Sequence, residues 1–194
     1  MFDYEKNKAL FYIFLTCVLL INSAPSVLHG AITPVITVLL LTDDFAAVEP
    51  KAIILNALLM RPWGLTFLPD NRILITEKGG RMVILSKDGT ILHEIAAGLP
   101  LVDASGQGGL LDVALDPDFE SDPWIYWTYA EPGIDAEEGL VGTAVARGRL
   151  IDNSIHDIEV IYRQTPKVSG FGHFGSRLAF RSDKTLFVTL GERQ

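Results

Sequence analysis

Val113-Ala114-Leu115-Asp116-Pro117-Asp118 decides the fold, because the chain writes this stretch three times. An earlier copy is Leu65-Thr66-Phe67-Leu68-Pro69-Asp70, and a later one is Leu178-Ala179-Phe180-Arg181-Ser182-Asp183. Each copy is an apolar–small–apolar triplet, a variable residue, and then Pro-Asp or Ser-Asp. The triplet alternates as a half-buried strand does, and the dipeptide ends it in a turn. An apolar strand carrying a threonine follows each copy: Ile73 to Thr76, Ile125 to Thr128, Leu186 to Thr189.

Outward from these copies the chain continues as strands. The first unit runs Gly64 to Leu68, Arg72 to Glu77, Arg81 to Leu85 and Thr90 to Ile95, broken at Pro69-Asp70-Asn71, Gly79-Gly80 and Lys87-Asp88-Gly89. The second unit offers Trp124 to Tyr129, Thr143 to Leu150 and Glu159 to Arg163. Short alternating runs between Asp, Gly and Pro turns predict antiparallel meanders, and no long amphipathic helix interrupts them. Four strands per unit, recurring at a spacing of tens of residues, predict an all-β fold of β-propeller blades. A β-sandwich with a coincidental turn motif is the competing architecture. On the propeller reading the chain holds two full blades and half of a third. A ring needs at least about four blades, so the chain is expected to be part of a larger propeller. The unpaired edges of its half-blade then predict aggregation or strand exchange when it is expressed alone.

The chain has 194 residues, 48% of them apolar, with a formal net charge of -8. That is enough for one domain with an ordinary core, and its acidic balance argues against general nucleic-acid binding. The one cysteine, Cys17, lies in the N-terminal apolar run, so the body has neither a disulfide nor thiolate chemistry. Lys6 and Lys8 precede an apolar core from Ala9 to Ile21, and small residues follow at Ser23, Ala24 and Ser26. This predicts an export signal over residues 1–26, and hence a periplasmic or secreted protein. Asp3, Glu5 and a second apolar run, Ile32 to Leu41, leave an uncleaved membrane anchor as the alternative. Residues 27–60 read as a linker, with Ala46-Ala47-Val48-Glu49 a candidate outer strand for a closing blade. The propeller domain takes up residues 61–194.

Chemistry concentrates before the first strand of each blade, which in a propeller lines the central channel. His173 lies in Gly170-Phe171-Gly172-His173-Phe174-Gly175, a few residues before Leu178. Gln107 lies in Ser105-Gly106-Gln107-Gly108-Gly109, nearly the same distance before Val113. Two polar side chains at equivalent points of neighbouring blades should converge on one site. An imidazole there suits proton transfer near neutral pH; the bland alternative is a histidine that caps a turn. Arg61 holds the corresponding place in the first blade, without the glycines. Asp112, Asp116 and Asp118 cluster as a carboxylate pair would, but turn chemistry accounts for Asp116 and Asp118, and Asp112 reads as a capping or pairing group. His29, His93 and His156 have no ligand spacing. Trp124, Tyr126 and Trp127 read as core, and Arg147 and Arg149 as a solvated or paired face. No metal ligand can be placed.

Several longer stretches stand in a telling order: Pro62-Trp63-Gly64-Leu65, then Gly106-Gln107-Gly108-Gly109-Leu110-Leu111-Asp112-Val113-Ala114-Leu115-Asp116-Pro117-Asp118-Phe119. Ala144-Val145-Ala146-Arg147-Gly148-Arg149-Leu150 and His173-Phe174-Gly175-Ser176-Arg177-Leu178 follow. Together, over roughly Arg61 to Arg193, they resemble the soluble PQQ-dependent aldose sugar dehydrogenases of the glucose/sorbosone dehydrogenase family. The resemblance implies a six-bladed propeller, exported to the periplasm, that oxidises the C1 hydroxyl of an aldose to the lactone. It implies that His173 is the catalytic base and that Gln107 and His173 meet the PQQ cofactor. It also implies calcium beside PQQ, with the calcium ligands and the basic residues that hold the PQQ carboxylates in later blades that this chain does not include. An aspartate precedes the histidine in glucose-specific members, and Gly172 stands there in this chain, which implies a broader sugar preference. The chain as it stands is then expected neither to close a ring nor to catalyse. Two other readings compete: a non-catalytic extracellular propeller that binds a glycan or protein, and a truncated reading frame without function. Nothing in the residues identifies the electron acceptor, and membrane contact is expected only through the N-terminal segment.

Overall fold

Among the described residues ten strands follow one another as meanders. The structure is a computed structural model and describes residues 51–193. The first sheet is β1 (Pro62–Phe67), β2 (Ile73–Glu77), β3 (Arg81–Leu85) and β4 (Ile91–Ile95), hydrogen-bonded in that order. The second is β5 (Leu110–Leu115), β6 (Trp124–Pro132), β7 (Val141–Ile151) and β8 (Ser154–Arg163), again in chain order. The third is the pair β9 (Gly175–Phe180) and β10 (Leu186–Leu190). All pairings are antiparallel. The fold is therefore the expected one: two four-stranded propeller blades and half of a third. A single 3-10 turn, Asp135–Glu137, is the helical content of the described residues. The export segment and the candidate strand Ala46 to Glu49 lie outside the described residues, and residues 51–60 form neither helix nor strand.

One boundary differs from the sequence reading. Strand β8 begins at Ser154 rather than near Glu159, because Asp152 and Asn153 both take the left-handed region, with φ of 49° and 63°. Two such residues in succession make a tight hairpin whose twist matches its strands, so β7 and β8 pair right up to it.

The recurring threonine explains why the repeat exists. The inner strand of each blade breaks register at the same point: between Pro62 and Leu65, between Leu110 and Val113, and opposite Val188 to Leu190. An irregularity there frees a backbone N–H from the ladder. A threonine hydroxyl of the second strand accepts it each time: Gly64 N–H on Thr76, Asp112 N–H on Thr128 and Arg177 N–H on Thr189, all at 2.9 Å. The same hydroxyl then donates to the inner strand of the next blade. Thr76 donates to the Leu111 carbonyl, and Thr128 to the Ser176 carbonyl at 2.8 Å. A single oxygen thus satisfies its own blade and ties it to the next.

Apolar alternation fills the space between the sheets. Leu74, Met82 and Ile84 of the first sheet pack on Leu110, Val113, Ile125, Trp127 and Tyr129 of the second. On the other face of the second sheet Tyr126 and Val145 meet Leu178, Phe180, Leu186 and Val188. Tyr126 and Phe180 form an edge-to-face pair with centroids 5.2 Å apart. Neighbouring aromatics on β6 thus serve opposite interfaces, as strand geometry requires.

Candidate functional site

Three first strands start around one cleft. Trp63 on β1, Leu111 on β5 and Gly175 on β9 line it, with Lys78 after β2, Gln107 before β5, and His173 and Phe174 before β9. Its volume is about 330 Å³. The structure brings Gln107 and His173 together: the His173 main-chain N–H donates to Gln107 Oε1 at 2.9 Å, and Gln107 N–H donates to the Phe171 carbonyl at 2.7 Å. With Oε1 occupied, the Gln107 amide nitrogen keeps both donors for the cleft.

The glycines make this approach possible. Gly106 has a φ of 49°, and a Cβ there would sit 2.5 Å from Phe171 Cβ. A Cβ on Gly191 would collide with the His173 carbonyl and come within 3.1 Å of Gly175 N. Any side chain at either place would push the loops apart.

His173 itself holds the left-handed region, φ 50°, and its side chain is 47% exposed. Its Nδ1 meets Glu192 Oε1. The imidazole contact holds the Glu192 carboxyl below the usual glutamate range, so it is ionised at neutral pH. An ionised carboxylate only accepts hydrogen bonds, so Nδ1 is the donor in this contact and Nε2 is the ring nitrogen left for another partner.

The remaining candidates separate. Arg61 is exposed and outside the cleft, and it contributes its carbonyl to Lys78 N–H at 3.0 Å. The first blade supplies Trp63 and Lys78 instead. Asp112 is 4% exposed and bonds the next blade, with Oδ2 accepting Leu178 N–H at 2.8 Å and Oδ1 pairing with Arg177 at 3.0 Å. Burial raises its carboxyl above the ordinary range, and the Leu178 N–H and the Arg177 charge oppose that. Asp116 accepts Asp118 N–H at 2.9 Å in an Asx turn, and Asp118 pairs with Lys184. His93 and His156 are exposed on β4 and β8, and His29 lies outside the described residues. Trp127 and Tyr126 are core, as read. Trp124 is only partly buried and lies against the guanidinium groups of Arg147 and Arg149, which pair with Glu159, Asp122 and Asp157. Among the described residues no group of three or more His, Cys, Asp or Glu could hold a metal ion.

The family model for glucose/sorbosone dehydrogenase matches residues 59–194. The chain belongs to this family. It is 44% identical over 142 residues to the aldose sugar dehydrogenase YliI of Escherichia coli, covering 72% of this chain and 37% of that protein. It is 28% identical over 153 residues to the quinoprotein glucose dehydrogenase B of Acinetobacter calcoaceticus, covering 75% of this chain and 31% of that protein. Among solved structures, the apo soluble aldose sugar dehydrogenase of E. coli superposes with a TM-score of 0.62 at 45% identity, over 69% of this chain and 38% of that one. The PQQ-bound aldose sugar dehydrogenase of Streptomyces coelicolor superposes with a TM-score of 0.57 at 27% identity, over 69% and 39%. The chain thus spans less than two fifths of the length of these glucose/sorbosone dehydrogenase relatives.

The cleft also contains residues that the sequence reading passed over. Glu192 follows the end of β10, and nothing local announces that it reaches back to His173. Trp63 lies on β1 and Lys78 just after β2, in a blade whose entry loop lacks the glycine signature that marks Gln107 and His173.

Proposed function

We propose that this chain supplies the catalytic-base side of a PQQ-dependent dehydrogenase that oxidises the C1 hydroxyl of an aldose to the lactone. The observation that carries the reading is the His173–Glu192 couple beside Gln107: an imidazole whose Nδ1 is held by a carboxylate, which leaves Nε2 as the ring nitrogen to accept a proton. In the reaction C1–OH would give its proton to Nε2 while C1 loses its hydride to the two-electron acceptor that a bound quinone would supply, and C1 would become the carbonyl carbon of the lactone. A well-placed base of this kind contributes about 10²–10⁴-fold to rate. The ionised Glu192 stabilises the imidazolium that proton uptake creates.

The donor set suits a flat, acidic, aromatic cofactor. Trp63 offers a ring, Lys78 an ammonium group and Gln107 two amide donors on the same cleft. These three would hold PQQ at this end, and the bound quinone supplies the two-electron acceptor. Calcium belongs to the same proposal, with ligands from outside the described residues. So does export to the periplasm or beyond, from the segment at residues 1–26. Gly172 before His173 leaves no carboxylate there to select one sugar, which supports acceptance of several aldoses. A binding module for glycans or proteins has no use for an imidazole oriented by a carboxylate, and that favours the enzyme.

The test is titration of the purified chain with PQQ, calcium and an aldose, following reduction of a dye acceptor. Turnover that disappears in His173→Ala supports the proposal. PQQ binding with turnover unchanged in His173→Ala sinks the base assignment. Absence of PQQ binding would leave the activity to a longer chain with the remaining blades.

A further inference from the structure

We infer that Arg193 is a positioning residue for His173, a buried peg around which the loop Gly170–Phe174 is wound. The inference rests on the reading of His173 as the base.

Arg193 follows Glu192 directly, yet its side chain goes the other way, into the protein, where the residue is only 4% exposed. The groups it meets there are carbonyls. One guanidinium nitrogen donates to the Gly172 carbonyl, and the other to Gly170 at 3.2 Å and to Val141 at 3.4 Å. The guanidinium carbon stands 3.4 Å from the centre of the Phe174 ring. Phe174 packs in turn on Leu111, Ala130 and Val141. The Arg193 main-chain N–H points to the His173 carbonyl at 3.4 Å. Burial lowers the pKa of the guanidinium, and the Asp103 charge opposes this.

Taking a cation out of water costs several kcal/mol unless its donors are filled; here carbonyls fill both terminal nitrogens, and Nε is buried without a partner. A fork of N–H groups fits several carbonyls at once, as a lysine ammonium on a flexible stem does not. The loop that brings those carbonyls to one point must pass His173 through the left-handed region, which a histidine does not choose by itself. The Glu192-Arg193 dipeptide therefore holds the base twice, its ring by the carboxylate and its backbone by the guanidinium.

The test uses the whole 194-residue chain, with its histidines ¹³C-labelled and the His173 signal assigned by its loss in H173A. Arg193→Met is compared with Ile84→Val, which removes a methyl from the distant interface of the first two blades. In Arg193→Met the His173 ring resonance should move, and the amides of His173 and Phe174 should exchange roughly tenfold faster. In Ile84→Val neither should change, although stability falls. Unchanged His173 signals in Arg193→Met, or equal changes in both variants, would overturn the inference. Dye reduction that persists in His173→Ala would remove the base reading alone, and the exchange comparison would still decide what Arg193 does.

Discussion

The main-chain N–H of His173 donates to Oε1 of Gln107 at 2.9 Å, so a loop of the third sheet is tied to a loop of the second across 66 residues of chain. The repeat places the two residues at equivalent points of neighbouring blades. The hydrogen bond turns that equivalence into one cleft, and it joins a backbone group to a side chain, so the two positions are not interchangeable.

Gln107→Ala removes the acceptor of that bond and the amide donors facing the cleft. PQQ binding should weaken by about tenfold, the equivalent of roughly 1.4 kcal/mol, the worth of an ordinary hydrogen bond. Equilibrium titration with the cofactor reads this directly, and an unchanged affinity would place the cofactor elsewhere.

Glu192→Gln should lower turnover by about 10²-fold while the fold stays intact, because a neutral amide fixes the tautomer less firmly and does not stabilise the imidazolium. The pH dependence has a definite sign. The folded-state value of Glu192 lies below its unfolded value, so the contact contributes fully above the unfolded value and is lost as pH falls through the folded one. The Glu192 carboxyl signal should therefore titrate below the usual glutamate range. NMR titration of the unsubstituted chain, with the signal assigned by its loss in Glu192→Gln, checks it.

Thr128→Val should destabilise the chain by about 1–3 kcal/mol, since it leaves the Asp112 N–H and the Ser176 carbonyl buried without partners. Thr189→Val should cost under about 0.5 kcal/mol, because Thr189 is exposed and water replaces its hydroxyl. Urea unfolding of the two variants side by side gives the difference. Equal losses would mean that the inter-blade bond contributes nothing.

Gly191→Ala should be more damaging than an ordinary loop substitution, by more than about 2 kcal/mol, because the new Cβ falls on the His173 carbonyl. Thermal melting followed by circular dichroism measures the loss. The His173 ring signal should shift in whatever fraction remains folded.

Most of the fold was legible in the residues because a propeller blade is a local object. Its strands are consecutive and its turns are short, so the alternation and the Pro-Asp and Ser-Asp breaks carry the pattern without knowledge of distant contacts. The hairpin at Asp152-Asn153 escaped, since neither residue is a glycine and only the backbone angles show that both turn left-handed. The convergence of Gln107 and His173 was legible through the repeat alone. Arg61 was wrong as the first-blade member for the same reason that it looked right: the repeat fixes where a loop arrives, not which of its side chains turns inward.

By itself, then, the sequence determined the all-β blades, their number over the described residues, and the two loops where the cleft forms, because strand alternation and turn chemistry act over a few residues. Only the tertiary structure decided how the site is completed. Glu192 reaches His173 and Arg193 its loop through a chain reversal at β9 and β10, and Trp63 and Lys78 enter from the first blade, 110 and 95 residues before His173. Such contacts depend on how strands and sheets come together, and no run of a few residues contains both partners.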